Sequence, residues 1–404
     1  MNANQVRVLP RESVTAIFDY ALSSVDPRKA VKNVHLDLPP GPIYSIAIGK
    51  AATSMARGLE DTLGDKLTAP VLIASGGHPL PDKNSIASAQ AAFALLDRAN
   101  GERATVVFLI SGGGSAMMEW PLTDDISLAD LREANKTLIS CGASIAEVNA
   151  VRRAFSAVKG GALARRAQNA RTFTLIVSDT NPGDERNVAS GPTLNPPRDS
   201  PKAIEIVEHY GLESLLPESI MRAVRQQKPS TSTVNSPHLV LLDNNTALTA
   251  AHDKAIELGF SCTILSDICE QPIATGCELL LSNLLNSSSQ CAVSGGEFAC
   301  PVRGDGLGGR NLETVLRCAM DLANQTHHLL VLSAGTDGID GNSPAAGAIA
   351  DETTIERAQA LGLDAVEYLA RSDSYTFFER LNDLIVTGAT GTNVRDVRIL
   401  LRTP

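Results

Sequence analysis

Short apolar runs recur along this chain, most followed by a glycine- or serine-rich string and a helical pattern, and this alternation constrains the fold most. The runs are 43–48, 71–74, 105–110, 172–177, 238–242, 262–265, 291–293, 329–332 and 384–386. Helical patterns lie between them, at 53–63, 85–99, 145–169, 247–258, 273–285 and 311–323. Strands alternating with helices indicate parallel strands joined by crossover helices, an α/β class. At 404 residues the chain exceeds one ordinary core of about 100–200 residues, so two domains are expected. The stretch 226–237 is rich in Ser, Thr and Pro, lacks periodicity and precedes a fresh strand-helix pair. It places the boundary at 235/236, giving domains 1–235 and 236–404, with a long surface loop as the competing reading. No repeat of 20–50 residues supports a solenoid.

Ligands of parallel α/β sheets bind beyond the carboxyl ends of the strands. Here those ends read Gly49-Lys50, Ser75-Gly76-Gly77-His78, Ser111-Gly112-Gly113-Gly114-Ser115, Ser178-Asp179, Ser294-Gly295-Gly296-Glu297, Ala334-Gly335-Thr336-Asp337 and the loop Thr387 to Asn393. Glycines let backbone N–H groups approach an anion, and a following helix start adds partial positive charge. Each string alone also reads as a turn, but together they indicate a phosphate-handling site. The triple glycine is the strongest, because three in a row cost backbone entropy that folding rarely needs.

Lys50 is a candidate phosphate ligand or a charge at a helix start. Arg310, after Gly308-Gly309, either forks onto a carboxylate or phosphate or lies on the surface. Asp179, Asp184, Glu297, Asp337 and Asp340 are candidate Mg²⁺ or hydroxyl partners, with helix caps and turns as the alternative. Arg152, Arg153 and Lys159 read as a solvated basic helix face, though Gly160-Gly161 beyond them hints at close packing. His78 serves as a base or substrate ligand, or as a turn residue before Pro79.

Several classes are excluded. A net charge of -10 argues against general nucleic-acid binding, which needs clustered cations. No apolar stretch approaches the length of a membrane span, and the amino end lacks a secretory pattern. Seven scattered cysteines without a C-x-x-C pair fit a reducing cytoplasm rather than a disulfide framework or zinc site. Gly304-x-Gly306-x-x-Gly309 matches a dinucleotide fingerprint on paper, but Pro301 and Arg303 make a poor central strand before it. No P-loop, protein-kinase set or nucleophile elbow is present.

The strings together resemble the glycerate 2-kinase family, with an N-terminal glycerate-kinase domain and a C-terminal MOFRL domain. They include Ile48-Gly49-Lys50-Ala51, Ser75 to Pro79, Ser111 to Ser115, Asn149 to Arg152, Lys159-Gly160-Gly161 and Ala189 to Thr193. Ser294 to Glu297, Gly308 to Asn311, Gly335 to Gly341 and Gly391-Thr392-Asn393 extend the likeness over almost the whole chain. The resemblance implies a Rossmann-like three-layer sandwich with a mostly parallel sheet, a smaller α/β domain and an active cleft between them. It implies phosphorylation of D-glycerate by ATP with Mg²⁺, 2-phosphoglycerate being the usual product.

Lys50, Arg310 and Asp179 would then be catalytic. Gly76, Gly77, His78, Ser111, Gly112, Gly113, Gly114, Ser115, Arg152, Lys159, Asp184, Glu297, Asn311, Asp337 and Asn393 would bind substrate or nucleotide, with Asp179 and Asp184 toward the metal. Ala389 and Arg395 depart from the family pattern, which usually has proline and asparagine there. The partners expected are glycerate and nucleotide, without nucleic acid or membrane, and a homo-oligomer stays open. The rivals are a nicotinamide-dependent hydroxypyruvate reductase and a non-catalytic phosphometabolite-binding protein.

Overall fold

The computed structural model describes residues 10–197, 199–227, 236–323 and 328–403. One compact unit spans Pro27–Leu242, and the other gathers the residues up to Asp26 with those from Asp243 onward. Of the stretch 226–237 that suggested the boundary, residues 228–235 lie outside the described residues. The expected division at 235/236 is corrected at both ends. His238–Leu242 joins the first sheet as a strand, and helix Pro10–Ser24 packs on helix Asn244–Glu257 in the later unit. That amino-terminal helix buries Val14, Ile17, Phe18 and Ala21, the spacing of one apolar helix stripe. Arg11 fastens it further by pairing with Asp351 and Asp383.

The first unit holds a five-stranded sheet of β1 (Ile43–Ile48), β2 (Leu72–Ile73), β3 (Thr105–Ser111), β4 (Arg171–Val177) and β5 (His238–Leu242). Its order is β2-β1-β3-β4-β5, and every pairing is parallel. All residues of β1 and β3 are buried, which is why both read as unbroken apolar runs: helices cover the two faces of such a sheet. Tyr44, Ile46, Ile48, Val106, Phe108 and Ile110 share a core with Ala89, Ala92 and Leu96 of helix Lys83–Glu102. An Asp82–Ser85 capping box starts that helix. The strand order reverses direction between β1 and β3, and crevices at such switch points are where ligands bind.

The expected helix 145–169 is corrected. Helix Ile145–Phe155 ends at an extended Ser156, and a second short helix, Ala162–Arg166, follows. Gly160 and Gly161, at φ of +59° and +83°, turn the chain through a left-handed region that glycine adopts without steric cost.

The second sheet contains β6 (Cys262–Ile264), β7 (Cys291–Gly296), β8 (His328–Gly335), β9 (Gly347–Asp351), β10 (Leu384–Ile385) and β11 (Asp396–Thr403). Its order is β10-β9-β8-β11-β7-β6. The alternation of runs and helices predicted parallel pairing here too, but among the described residues only β6 and β7 pair that way. The cause is two strands the runs did not show. β9 lies antiparallel between β10 and β8, and β11 lies antiparallel between β8 and β7. Arg398 interrupts the apolar pattern of β11 yet is 1% exposed. Its guanidinium sits 3.8 Å from the Phe298 ring centroid and donates to Ser294 Oγ and the Ile268 carbonyl. Among the described residues no helix is long and apolar enough to cross a membrane.

Candidate active site

In the first unit the carboxyl ends of four strands meet at the glycine string after β3. Lys50 N donates to the Gly112 carbonyl at 2.8 Å, and Ser111 Oγ accepts from Ala51 N at 3.0 Å. The exits of β1 and β3 are thereby locked together at the switch point. A side chain on Gly112 would place its Cβ 1.8 Å from Asp179 Oδ2, so only glycine lets the carboxylate beyond β4 close on this backbone. A Cβ on Gly113 would lie 3.0 Å from Lys50 Cγ and 3.3 Å from His78 Cδ2. Lys50, His78 and Asp179, from three different strand ends, therefore share Gly112-Gly113 as a neighbour. Lys50 and His78 are exposed and Asp179 is half-buried, so this cluster brings a lysine, a histidine and an aspartate beside the Gly112-Gly113 backbone.

The supporting residues play other parts. Gly76 and Gly77 allow close backbone packing, Gly76 N donating to the Met117 carbonyl at 3.1 Å. Ser115 Oγ shares a hydrogen bond of 2.7 Å with Ser190 Oγ, and Ser190 donates to Asn149 Oδ1. Asn149 Oδ1 also accepts from Arg152 Nη1, whose Nε donates to Asn135 Oδ1 at 2.8 Å. Arg152 is 6% and Lys159 2% exposed, which overturns the expectation of a solvated basic face. Lys159 Nζ is paired with Glu119, itself fully buried, and Glu119 also accepts from Ser156 Oγ. Burial lowers both cations, Arg152 to about 10, while Glu119 pulls each back up. Neither cation faces solvent, so their expected contact with substrate or nucleotide is replaced by a structural role. Asp184 stands exposed at the head of the turn Glu185–Ser190.

In the second unit Arg310 opens helix Arg310–Leu322. Its fork is already engaged: Nε donates to Asp396 Oδ2 at 2.6 Å and Nη2 to Oδ1 at 3.1 Å, with Glu297 Oε1 2.8 Å from Nη2. Burial opposes the charge, but Asp396 and Glu297 outweigh it and hold the guanidinium firmly protonated. Asn311 Nδ2 bridges Asp396 Oδ1 and Asp340 Oδ1, while its Oδ1 accepts from Ser333 Oγ at 2.6 Å. Asp340, expected as a metal or hydroxyl partner, instead caps the helix. Its oxygens accept from Asn311 N at 3.1 Å and Leu312 N at 2.8 Å, two donors left orphaned by helix geometry. Asp337 Oδ1 accepts from Ile339 N, and Asn393 Oδ1 from Arg395 N. Arg395 is buried and pairs with Glu270 at 2.7 Å. Asp396, which sequence reasoning missed, is the main partner of Arg310; a carboxylate shortly after the last glycine loop was its only signal.

Among the described residues no group of three or more His, Cys, Asp or Glu side chains is arranged to hold a metal ion. Asp179 nevertheless offers hard carboxylate oxygens at the glycine string. Mg²⁺ is commonly bound through one or two carboxylates plus substrate phosphates and water, and this donor set fits such a shared ion rather than a protein-made cage.

The comparisons extend along the whole chain. A domain of unknown function (DUF4147) matches residues 13–225, and the MOFRL family matches residues 290–396. A D-glycerate 2-kinase from Thermotoga maritima is 34% identical, covering 94% of this chain and 95% of its own. A protein from Agrobacterium vitis, named only provisionally as a hydroxypyruvate reductase, is also 34% identical, over 98% of this chain and 95% of its own. The crystal structure of a glycerate kinase from Thermotoga maritima superposes with a TM-score of 0.83 at 32% identity, covering 98% of this chain and all of that one. On the fold, the two matching domain models and these full-length relatives, the chain belongs to the glycerate 2-kinase family.

Proposed function

We propose that this chain is a glycerate 2-kinase, transferring the γ-phosphoryl group of ATP to the 2-hydroxyl of D-glycerate. The observation that carries this reading is the gathering of Lys50, His78 and Asp179 around Gly112-Gly113 at the switch point of a parallel sheet. Phosphoryl transfer asks a protein for positioning and charge stabilisation rather than a strong base, and a lysine beside a glycine-rich strand end would supply both. In the proposed step the 2-hydroxyl oxygen attacks the γ-phosphorus in line as the bond to the ADP oxygen breaks, ADP leaves and the hydroxyl proton passes to solvent. Lys50 neutralises charge on the equatorial oxygens and Asp179 orients the hydroxyl or the metal, while Arg310 is the candidate for charge stabilisation in the second unit. Mg²⁺, when bound, would supply positive charge to the transferring phosphate; Asp179 would hold it, with Asp184 the second candidate. His78 and the glycine string Gly112 to Gly114 would contact nucleotide or acid, as would Glu297, Asp337 and Asn393 in the second unit.

The free thiols of all seven cysteines support work in the cytoplasm. The reductase reading draws no support from Gly304 to Gly309, because residues 297–303, directly before that string, belong to no strand of the sheet. The test is ADP release on adding D-glycerate, followed by enolase without phosphoglycerate mutase. Immediate phosphoenolpyruvate identifies the 2-phosphate. ADP release without it moves the phosphate to another hydroxyl, and oxidation of NADH by hydroxypyruvate in its place would replace the kinase reading.

A further inference from the structure

We infer that Asp396 is the positioning residue for Arg310, fixing the guanidinium plane from which it meets the migrating phosphoryl group; this inference rests on the kinase reading of Arg310.

The fold builds a place for this carboxylate. Asp396 begins β11 and registers with Gly296 on one neighbouring strand and Gly335 on the other. Both neighbours lack side chains, so a carboxylate between them has room to turn toward helix Arg310–Leu322. A Cβ on Gly335 would already lie 3.5 Å from Asp396 Oδ1. Asp396 is 1% exposed, and such a carboxylate persists only with charged or multiple hydrogen-bonding partners. It has both: the Arg310 fork across its two oxygens and Asn311 Nδ2 at 2.9 Å. A bidentate arginine–carboxylate pair fixes orientation as well as position, because both groups are planar.

Asn311 carries the constraint deeper. Its amide is held by Ser333 Oγ and by Asp340, and Asp340 is tied to the helix backbone at Asn311 and Leu312. Arg310 and Asn311, adjacent in the first helical turn, are therefore clamped by two buried aspartates from different segments. Glu297, the third partner of Arg310, is 36% exposed at its side chain, so it can yield to a substrate oxygen without disturbing the buried clamp. That division of labour assigns orientation to Asp396 and leaves the accessible side of the guanidinium for ligand.

The test is a double-mutant cycle on the full chain with Arg310→Ala and Asp396→Asn, reading kcat and KM for D-glycerate and ATP. Removing a partner that orients a reacting group typically costs 10–100-fold, so Asp396→Asn is expected to lower kcat by about 100-fold and to shift KM less than about threefold. In the Arg310→Ala background it should cost nothing more, because its only route to the reaction is gone. A further fall in the double mutant, or full activity in Asp396→Asn beside an inactive Arg310→Ala, overturns the inference while the kinase reading stands. Full turnover in Arg310→Ala overturns both the role of Arg310 and the inference. Should Asp396→Asn fail to fold, hydrogen exchange at Arg310 Nε in the unaltered protein decides: slow exchange supports the clamp, and exchange at the rate of an exposed guanidinium refutes it.

Discussion

The Lys159 ammonium rests against the Glu119 carboxylate with both side chains sealed from solvent. An ion pair in that setting is more consequential when broken than when present. Its desolvation cost roughly cancels its attraction, but removal of one partner strands a buried charge, at about 3–5 kcal/mol. Lys159→Met should therefore lower the urea midpoint sharply, while Lys159→Met combined with Glu119→Leu should recover much of the loss. Equilibrium unfolding of the three proteins checks this. A single mutant of unchanged stability but weakened ATP binding would return Lys159 to the ligand site.

The contact of Asp179 with the Gly112 backbone yields a second prediction. Gly112→Ala would drive its methyl group to 1.8 Å from Asp179 Oδ2, and the carboxylate must swing away. Overpacking of this kind costs about 1–3 kcal/mol, which a domain of this size tolerates. Misplacing a positioning group by about 1 Å costs about 100-fold in rate. The expected result is a folded protein, by circular dichroism, with turnover reduced about 100-fold in an ADP-release assay.

How much of this was legible in the sequence follows from what each residue contacts. A strand covered on both faces, such as Ile43–Ile48 or Thr105–Ser111, reads as a continuous apolar run, so the first sheet and its glycine-bearing ends were readable directly. β11 was not, because Arg398 becomes a core residue through Phe298, Ser294, Ile268 and Asp396, partners at least one hundred residues away except the last. β9 is short and built largely of Gly and Ala, leaving no apolar signal. Arg152 and Lys159 carry charges that suggest solvent; the burial that overrules this comes from Glu119, Asn135 and Asn149. The glycine pair after Lys159 was the one local hint. Asp396 lies just outside the glycine loops, and its role appears only when β11 takes its place between β7 and β8.

Lys50 is exposed at the end of β1, where removing its charge leaves the core untouched. Lys50→Met retains most of the apolar stem and loses the ammonium. Deleting one electrostatic stabiliser of a transition state costs about 100–1000-fold in kcat, and exposed substitutions change stability by about 0.5 kcal/mol or less. Turnover should collapse while the thermal midpoint barely moves. Measured side by side, near-normal kcat in this variant would remove Lys50 from the chemistry.

Asp340 gives a prediction about pH. Burial is the main force on its carboxyl, Asp396 adds repulsion, and together they outweigh the backbone donors and Arg310 to push it up to about 7. Its unfolded value is near the ordinary 3.8. Between those limits the folded chain holds a proton that the unfolded chain has released, so stability falls as pH rises. The contribution is complete below the unfolded value, drains away through the folded value and is constant above it. Asp340→Asn, which cannot ionise, should flatten the profile across this window while keeping one oxygen to accept from the helix start. Urea midpoints for both proteins from about pH 5 to about pH 8 test this: parallel curves would show that Asp340 is already ionised throughout, with the two backbone N–H groups holding its charge.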